Sequence, residues 1–438
     1  MSKPFADIRD DRRTPDRRLR RAQWAVLLAT MFCYLFFYTG RQTFGFAIPD
    51  IQKELGIGKA TLGWVSTAML WSYAVGQAIN GNLADKLGGR KIMTLGAIGS
   101  TVVNWVVGFG HSLAAIAIPW GVNGFVQSMG WAAGGRVLSN WWPHSERGKT
   151  FGFYVFAAGT GSVVAYATSV VTLDVLELDW RWLFRIPVLL MLFGGLVFWL
   201  VARNTPAERG LPAPVEPDTA TDLATPETHG AGVKDAPESS RTRYLAVLKH
   251  PKIWITGVSI GFQNAARYGL LVWVPVHFLG SNWKTAGDGG VSPLWITVAL
   301  PIGMAVGALV NGQISDRLFG SRRGLPIMLF MLVGGLCALG MHALPSGATT
   351  MAIVLLFFTG FFVYGPQASF WALCPDLVGA RRAGTATGVV NFFAYLFAGF
   401  GEPLIGSLID SSGDTSLVFI VVAICCATSA AFAAAIRR

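Results

Sequence analysis

The sequence predicts an all-α membrane protein with twelve transmembrane helices arranged as two six-helix halves. Three observations support this fold class: the composition, the alternation of apolar stretches with basic loops, and an internal repeat. Mean hydropathy is +0.49, and 53% of the residues are hydrophobic against 13% charged, whereas soluble domains average roughly 25% charged residues. The five cysteines lie in apolar stretches without the spacing of metal ligands or disulfides.

Twelve apolar stretches are long enough to cross a bilayer core of about 30 Å. Their predicted bounds are 22–48, 61–84, 91–110, 112–138, 150–172, 182–202, 251–280, 291–315, 325–343, 348–374, 383–410 and 415–436. The intervening stretch 203–250 is rich in Pro, Ala, Thr, Glu and Asp, which is typical of a largely disordered linker. The predicted organisation is a basic head (1–21), an N-terminal half (22–202), this linker and a C-terminal half (251–438).

Basic residues set the predicted orientation. They concentrate in the head and in every second loop, whereas the alternate loops carry mostly acids, such as Asp410 and Asp414. The positive-inside rule therefore places both termini and the linker in the cytoplasm, in a multi-pass protein of the cytoplasmic membrane. Because the net charge of +11 lies in these loops, it indicates membrane topology and attraction to anionic lipid rather than nucleic-acid binding.

Two arginines lie inside apolar spans, Arg41 in the first and Arg267 in the seventh. A guanidinium keeps its proton, so each is a fixed charge in a low-dielectric region. Such a charge is tolerated where it faces a water-filled cavity or an anion. Because the two occupy matching places in the two halves, we expect them to form one anion site.

An internal repeat relates the two halves. The segment Gly76–Lys91 aligns with Gly307–Arg323, which places Asp85 opposite Asp316 at the end of the second span of each half. Basic residues follow each carboxylate, and we expect them to form a charge cluster that acts as a gate or scaffold. The expected members are Asp85, Arg90, Asp316 and Arg322. The repeated loop resembles that of the major facilitator superfamily, which implies transport by alternating access.

Within that superfamily the whole chain resembles the organophosphate:phosphate antiporters. The resemblance is carried by YTGRQTFGFAIPD, QSMGWAAGGRVLSNWWPHSERG, RYGLLVWVP, YGPQ and RAGTATGVVNFFAYL. It implies that Arg41 and Arg267 hold the phosphate. The aromatic residues implied to line the site with them are Tyr38, Trp131, Tyr364 and Tyr395. It also implies a monomer without cofactor that exchanges a phosphorylated organic solute for inorganic phosphate.

The chain departs from that family at several site positions. Gln77 occupies the place of a lysine on the second span, and Ala158 that of a histidine on the fifth. Ala398 and Glu402 occupy the places of an aspartate and a lysine on the eleventh span. Glu402 has four open interpretations: a counterion to Arg267, a ligand for a substrate amine, a proton carrier, or a group near the outer interface.

Three further polar residues are candidates for the site. Asn264 precedes Arg267 by about one helical turn and should share its face. Asn264, Gln367 and Asn391 each line the cavity or hydrogen-bond between helices, and the sequence does not decide between these roles. Arg136, beside two tryptophans, is interpreted as an interfacial anchor.

The sequence carries no enzyme motif and no His or Cys spacing of a metal site. Two other functions stay open beside the antiporter. One is a proton-coupled exporter or symporter of another organic anion or a drug, which would use Glu402. The other is a transporter-like sensor of a sugar phosphate.

The orientation is testable with an impermeant thiol reagent. A cysteine at Thr225 should resist the reagent on intact cells and react after permeabilisation, because the basic loops hold the linker in the cytoplasm. A cysteine at Asp414, in a predicted outer loop, is the control that should react on intact cells. Labelling at position 225 from outside would overturn the orientation.

Overall fold

The computed structural model describes residues 17–214, 238–278, 294–345 and 348–436. Every regular element in these ranges is helical. The α-helices are α1 Arg17–Phe37, α2 Thr43–Leu55, α3 Lys59–Leu87, α4 Gly89–Val107, α5 Leu113–Gln127, α6 Trp131–Trp141, α7 His144–Val170, α8 Pro187–Val201, α9 Ser240–Leu248, α10 Pro251–Phe278, α11 Leu294–Arg317, α12 Gly324–His342, α13 Thr349–Tyr364, α14 Gln367–Val378, α15 Ala383–Ser412 and α16 Leu417–Ala434.

The surface of the bundle is apolar, as a lipid-facing surface requires. Large aliphatic side chains are widely exposed, among them Ile118, Leu200 and Leu336, which are 67–71% exposed. Eight helical stretches of the described chain are long and apolar enough to cross a membrane. The predicted spans 61–84, 91–110, 112–138 and 251–280 are not among them. All four carry buried amides, and the span 112–138 is also divided between α5 and α6.

The end of the predicted linker forms a short helix in the structure. Residues 240–248 form α9, whose first turn is capped by the Ser239 side chain accepting from the Thr242 amide at 3.2 Å. The Tyr244 hydroxyl donates to the Ala78 carbonyl on α3 at 2.8 Å. Glu238 pairs with Arg382 at 2.7 Å. These contacts attach the end of the linker to both halves, and 215–237 lie outside the described residues.

Two helix pairs join the halves at the end of the bundle that carries Asp85 and Asp316, called here the motif end. The helix α3 packs on α15, and α11 packs on α7. Both contacts are backbone to backbone: a Cβ on Gly81 would overlap the Gly384 carbonyl oxygen, and one on Gly312 would overlap that of Gly148. Small residues allow this approach of helices in a membrane. The halves are therefore closed together at the motif end.

A side chain at Gly81 should prevent this closure. Asn82 donates to Thr385 across the two halves at 3.2 Å, so cysteines at these positions should cross-link with a short thiol-specific linker, detected as a gel shift. Gly81→Val should reduce the cross-linked fraction because its side chain separates α3 from α15. Gly63→Val on the same helix meets open space and should leave cross-linking unchanged. Equal cross-linking in the two variants would contradict the packing argument.

Candidate functional site

Arg41 lies at a break between α1 and α2. A 3-10 turn over Tyr38–Gly40 ends α1, and Arg41 follows it with a non-helical backbone (φ −135°, ψ −20°). Its guanidinium lies 4.0 Å from the centre of the Tyr38 ring and 5.5 Å from that of Tyr73. It also donates to the Tyr34 hydroxyl at 3.3 Å. Aromatic rings thus stabilise the charge through their negative faces, a contact worth about 2 kcal/mol when desolvated.

Arg267 lies within the unbroken helix α10 and has similar surroundings. Its guanidinium is 4.5 Å from the centre of the Tyr364 ring and 5.1 Å from that of Tyr268. Its Nε is buried and has no hydrogen-bond partner within the described part of the chain. A buried charged donor without a partner costs free energy. The site therefore offers a donor that an anion would satisfy.

The two arginines belong to one tyrosine-lined site. Tyr38 from the end of α1 and Tyr395 from α15 lie near both guanidinium groups. The rings of Tyr73 and Tyr395 meet across the halves with centres 4.5 Å apart. Over the described ranges, no Asp or Glu forms an ion pair with Arg41 or Arg267. The predicted residues Tyr38, Tyr364 and Tyr395 therefore surround two guanidinium groups that no described carboxylate neutralises.

The sequence reasoning missed Tyr34, Tyr73 and Tyr268. Helical spacing contained the signal for two of them: Tyr34 precedes Tyr38 by four residues, and Tyr73 precedes Gln77 by four, whereas Tyr268 directly follows Arg267 and gives no such signal. Residues four apart share a helix face. A search for tyrosines on the same helix face as each predicted site residue would have identified Tyr34 and Tyr73.

Trp131 is buried at the contact between the halves. Its ring stacks on Tyr154 at 4.3 Å and meets the edge of Trp371, from α14, at 5.3 Å. Its Nε1 is buried and finds no partner in the described ranges. Trp131 thus offers a free donor, and Trp371 is a further residue that sequence reasoning did not single out.

Asn264 and Gln367 belong to a buried amide network beside Arg267. Gln367 donates to the Gln263 side-chain oxygen at 2.8 Å, and Asn264 donates to the same oxygen at 3.0 Å. Gln263 in turn donates to the Val363 carbonyl at 2.8 Å. The Trp371 indole donates to Gln367. The structure therefore shows Gln367 hydrogen-bonding between helices, whereas Asn264 donates within its own helix, to Gln263 and to the Ile260 carbonyl.

Three other predicted residues lie on α3 and α15. Gln77 is fully buried, and neither atom of its amide has a partner in the described part of the chain. Asn391 is buried on α15, four residues before Tyr395, and so shares its face. Glu402 belongs to α15, but its side chain lies outside the described residues.

Asp85 joins the halves at the motif end. Its carboxylate pairs with the Arg136 guanidinium at 2.8 Å. It also accepts from the Gly384 amide at 3.0 Å and from the Thr385 amide at 2.7 Å. These two amides begin α15, so Asp85 caps a helix of the other half, where a negative charge is favoured. Arg136 is thus an ion-pair partner, which corrects its interpretation as an interfacial anchor.

Asp316 makes the equivalent contact in the opposite direction. It accepts from the Gly148 amide at 3.2 Å and from the Lys149 amide at 2.6 Å, the fifth and sixth residues of α7. It also pairs with Arg323. Each half therefore caps a helix of the other half with a carboxylate.

Arg90 and Arg322 were the basic residues expected in this cluster. In the structure, Asp85 pairs with Arg136 and Asp316 pairs with Arg323 instead. Arg90 stacks on the Trp199 ring at 3.9 Å and donates to its carbonyl, away from Asp85. Arg322 is exposed, whereas its neighbour Arg323 is buried. A loop sequence does not fix which of several adjacent arginines turns inward, because this depends on the packing of the other half.

Asp376 is a further buried carboxylate at the motif end that sequence reasoning missed. It pairs with Arg147 at 2.9 Å, with His144 at 2.8 Å and with Arg323 at 3.1 Å. Arg147 and His144 come from α7 in the first half, whereas Arg323 precedes α12 in the second. The ion network thus continues across the halves beyond the repeated motif.

The fold and these contacts define a class of protein: a multi-pass helical membrane protein with a positively charged site between two halves. The Major Facilitator Superfamily model matches residues 30–402 and 295–438. The chain therefore belongs to the Major Facilitator Superfamily.

Curated relatives confirm the resemblance to the organophosphate:phosphate antiporters. The chain is 28% identical over 416 residues to a probable hexose phosphate transport protein of Chlamydia pneumoniae, covering 93% of this chain and 90% of the relative. It is 30% identical over 405 residues to the membrane sensor protein UhpC of Salmonella typhimurium, covering 91% and 88%. It is 27% identical over 417 residues to the glycerol-3-phosphate transporter of Bacillus subtilis, covering 93% and 90%.

Solved structures confirm the major facilitator fold. The proton:xylose symporter XylE superposes with a TM-score of 0.68 at 14% identity, over 94% of this chain and 95% of that protein. The transporter FucP in its outward conformation superposes with a TM-score of 0.64 at 14% identity, over 94% and 99%.

Removing a capping carboxylate should slow the exchange cycle more than it weakens binding. Asp85→Asn or Asp316→Asn loses the ion pair and weakens the helix cap, which destabilises the form closed at the motif end. Maximal exchange rate and half-saturating substrate concentration, measured in proteoliposomes, separate the two effects. Asp414→Asn, in a loop away from this network, is the control. A large rise in half-saturation at an unchanged maximal rate would contradict a gate role.

Proposed function

We propose that this protein is a secondary transporter that exchanges a phosphorylated small organic solute for inorganic phosphate across the cytoplasmic membrane. The observation that carries the proposal is the pair of guanidinium groups, Arg41 and Arg267, with no carboxylate paired to either among the described residues. A phosphate dianion offers three oxygens, so two planar forks can bind it bidentately and cancel its charge. The relatives that carry hexose phosphate and glycerol 3-phosphate in their names support this substrate class.

The exchange follows from the electrostatics of the site. When one phosphorylated solute replaces another, the charge of the site stays constant. The empty site holds two unneutralised cations that repel one another in a low dielectric. Because the cations belong to different halves, a shared dianion stabilises the approach of the halves, and the loaded protein crosses between its two forms more readily than the empty one.

The arrangement in the membrane is part of the proposal. The broken pairs α1–α2, α5–α6 and α13–α14 each act as one span, which gives twelve spans with both termini in the cytoplasm. The motif end, with Asp85 and Asp316, then faces the cytoplasm, and the described form is closed on that side. The transporting unit is a monomer, because both arginines come from one chain.

A second candidate is a sensor of a sugar phosphate, favoured by the 30% identity to a membrane sensor protein. Both functions use the same anion site, so mutation of that site does not separate them. Transport does: purified protein in phosphate-loaded vesicles exchanges phosphate if it is a transporter, whereas a sensor binds without exchange. Uptake that needs a proton gradient and no internal phosphate would favour the proton-coupled alternative that uses Glu402.

Replacing either arginine should abolish or sharply weaken phosphate exchange. Arg41→Lys and Arg267→Lys keep the charge but lose the planar fork. Each should raise half-saturation by about tenfold or more, since a hydrogen bond to a charged group is worth about 1.5–3 kcal/mol. Arg41→Ala and Arg267→Ala should abolish exchange. The measurement is phosphate–phosphate counterflow in proteoliposomes.

Arg185→Lys provides the matched control. Arg185 also lies over an aromatic ring, Phe109 at 4.1 Å, and donates to the Gly108 carbonyl at 2.6 Å, outside the tyrosine-lined site. It should exchange phosphate as the wild type does, and size-exclusion chromatography checks that every variant is folded. Near-normal exchange by Arg41→Ala or Arg267→Ala would reject the phosphate site.

A further inference from the structure

The break at the end of α1 places one backbone carbonyl among side-chain amides. After the 3-10 turn, the Gly40 carbonyl oxygen accepts from Asn123 Nδ2 on α5 at 2.7 Å. It also accepts from Asn104 Nδ2 on α4 at 3.1 Å. Gly40 immediately precedes Arg41, so two helices that do not enter the anion site hold the peptide that leads into it.

These two amides belong to a closed network, called here the Gly40 clamp. Asn123 Oδ1 accepts from Ser100 Oγ at 2.6 Å, and Ser100 Oγ accepts from Gln127 Nε2 at 2.8 Å. The four side chains of the clamp are all buried, at 0–1% exposure: those of Ser100, Asn104, Asn123 and Gln127. A Cβ on residue 40 would overlap Gln127 Nε2 and the Met191 methyl group. A side chain at residue 40 would therefore displace Gln127 and disturb the clamp.

The two arginines differ in how their backbones are fixed. Arg267 lies within α10, where the helical hydrogen-bond ladder fixes its Cα. Arg41 has a non-helical backbone at a break, where that ladder is interrupted. A binding side chain needs its position held within about 0.5 Å. Within its own turn the Arg41 amide donates to the Tyr38 carbonyl at 3.2 Å, and contacts from outside α1 add to this constraint.

We propose that Asn104 and Asn123 are positioning residues that fix the Arg41 guanidinium for anion binding through the Gly40 carbonyl. This inference rests on the proposed function for the identity of the anion. The alternative is that the amides only join helices, as Asn80 does by donating to the Phe125 carbonyl at 3.0 Å and to Ser128 Oγ at 2.7 Å. Asn80 is therefore the matched control: a buried asparagine on α3 that donates to the end of α5 and does not touch Gly40.

The first experiment is phosphate counterflow with full kinetics. Asn123→Leu and Asn104→Leu should each raise half-saturation about tenfold, as expected for one lost hydrogen bond to a buried carbonyl, with the maximal rate little changed. Asn80→Leu should leave half-saturation unchanged. In the Arg41→Lys background, Asn123→Leu should add little, because the two sites act through one group and do not add. Asn123→Ser, too short to reach Gly40, replaces the Leu variant if that one does not fold.

The second experiment reports geometry without phosphate. Arg41→Cys, in a chain whose native cysteines are replaced, is labelled with a water-soluble methanethiosulfonate. Adding Asn123→Leu should change the labelling rate several-fold, whereas adding Asn80→Leu should not. The inference is overturned if Asn123→Leu and Asn80→Leu give equal labelling rates. It is also overturned if half-saturation is unchanged in both Asn123→Leu and Asn104→Leu, or if it rises as much in Asn80→Leu. If the wild type exchanges no phosphate, the proposed function fails and the labelling rates alone decide the positioning role.

Discussion

The constraint on which this structure depends is the presence of two permanent cations inside a membrane-embedded bundle. Neither Arg41 nor Arg267 has a carboxylate partner in the described part of the chain, and aromatic faces take the place of counterions. Rings stabilise a guanidinium without neutralising it. The site thus remains attractive to an anion, and the tyrosine hydroxyls around it offer further hydrogen bonds. A buried salt bridge at either arginine would have removed this attraction.

The second organising feature is the reciprocal capping at the motif end. Asp85 from the first half caps α15, and Asp316 from the second half caps α7. Asp85 uses amides of the first turn of α15, Asp316 uses amides one turn into α7, and both contacts depend on glycines that let the backbones touch. Because every one of these contacts crosses between halves, they are all broken together when the halves separate. The closed form is therefore held by a cooperative set of contacts at one end, while the anion site lies at some distance along the same helices.

The sequence predicted the helical membrane fold, the repeat and the aromatic surroundings of the arginines, because these leave local signals: hydropathy, basic loops and short motifs. It failed where the outcome depends on distant packing. Arg323 rather than Arg322 turns inward because Asp316 and Asp376 lie on that side. The folded end of the linker was missed because its composition is polar and its partners, such as Ala78, are far away in the chain. The amides of the Gly40 clamp look like ordinary helix residues until the break in α1 is known.

The amide of Gln77, which has no partner among the described residues, affects the stability of the closed form. It is enclosed between α3 and α15 in the closed form, without a partner for either atom among the described residues, and burying such a group costs about 1–3 kcal/mol. An apolar side chain of the same size would avoid that cost and deepen this one minimum, lowering the relative population of other forms by about tenfold per 1.4 kcal/mol. The closed form therefore carries a free-energy cost at residue 77 that is absent from any form in which this amide meets water or a hydrogen-bonding ligand.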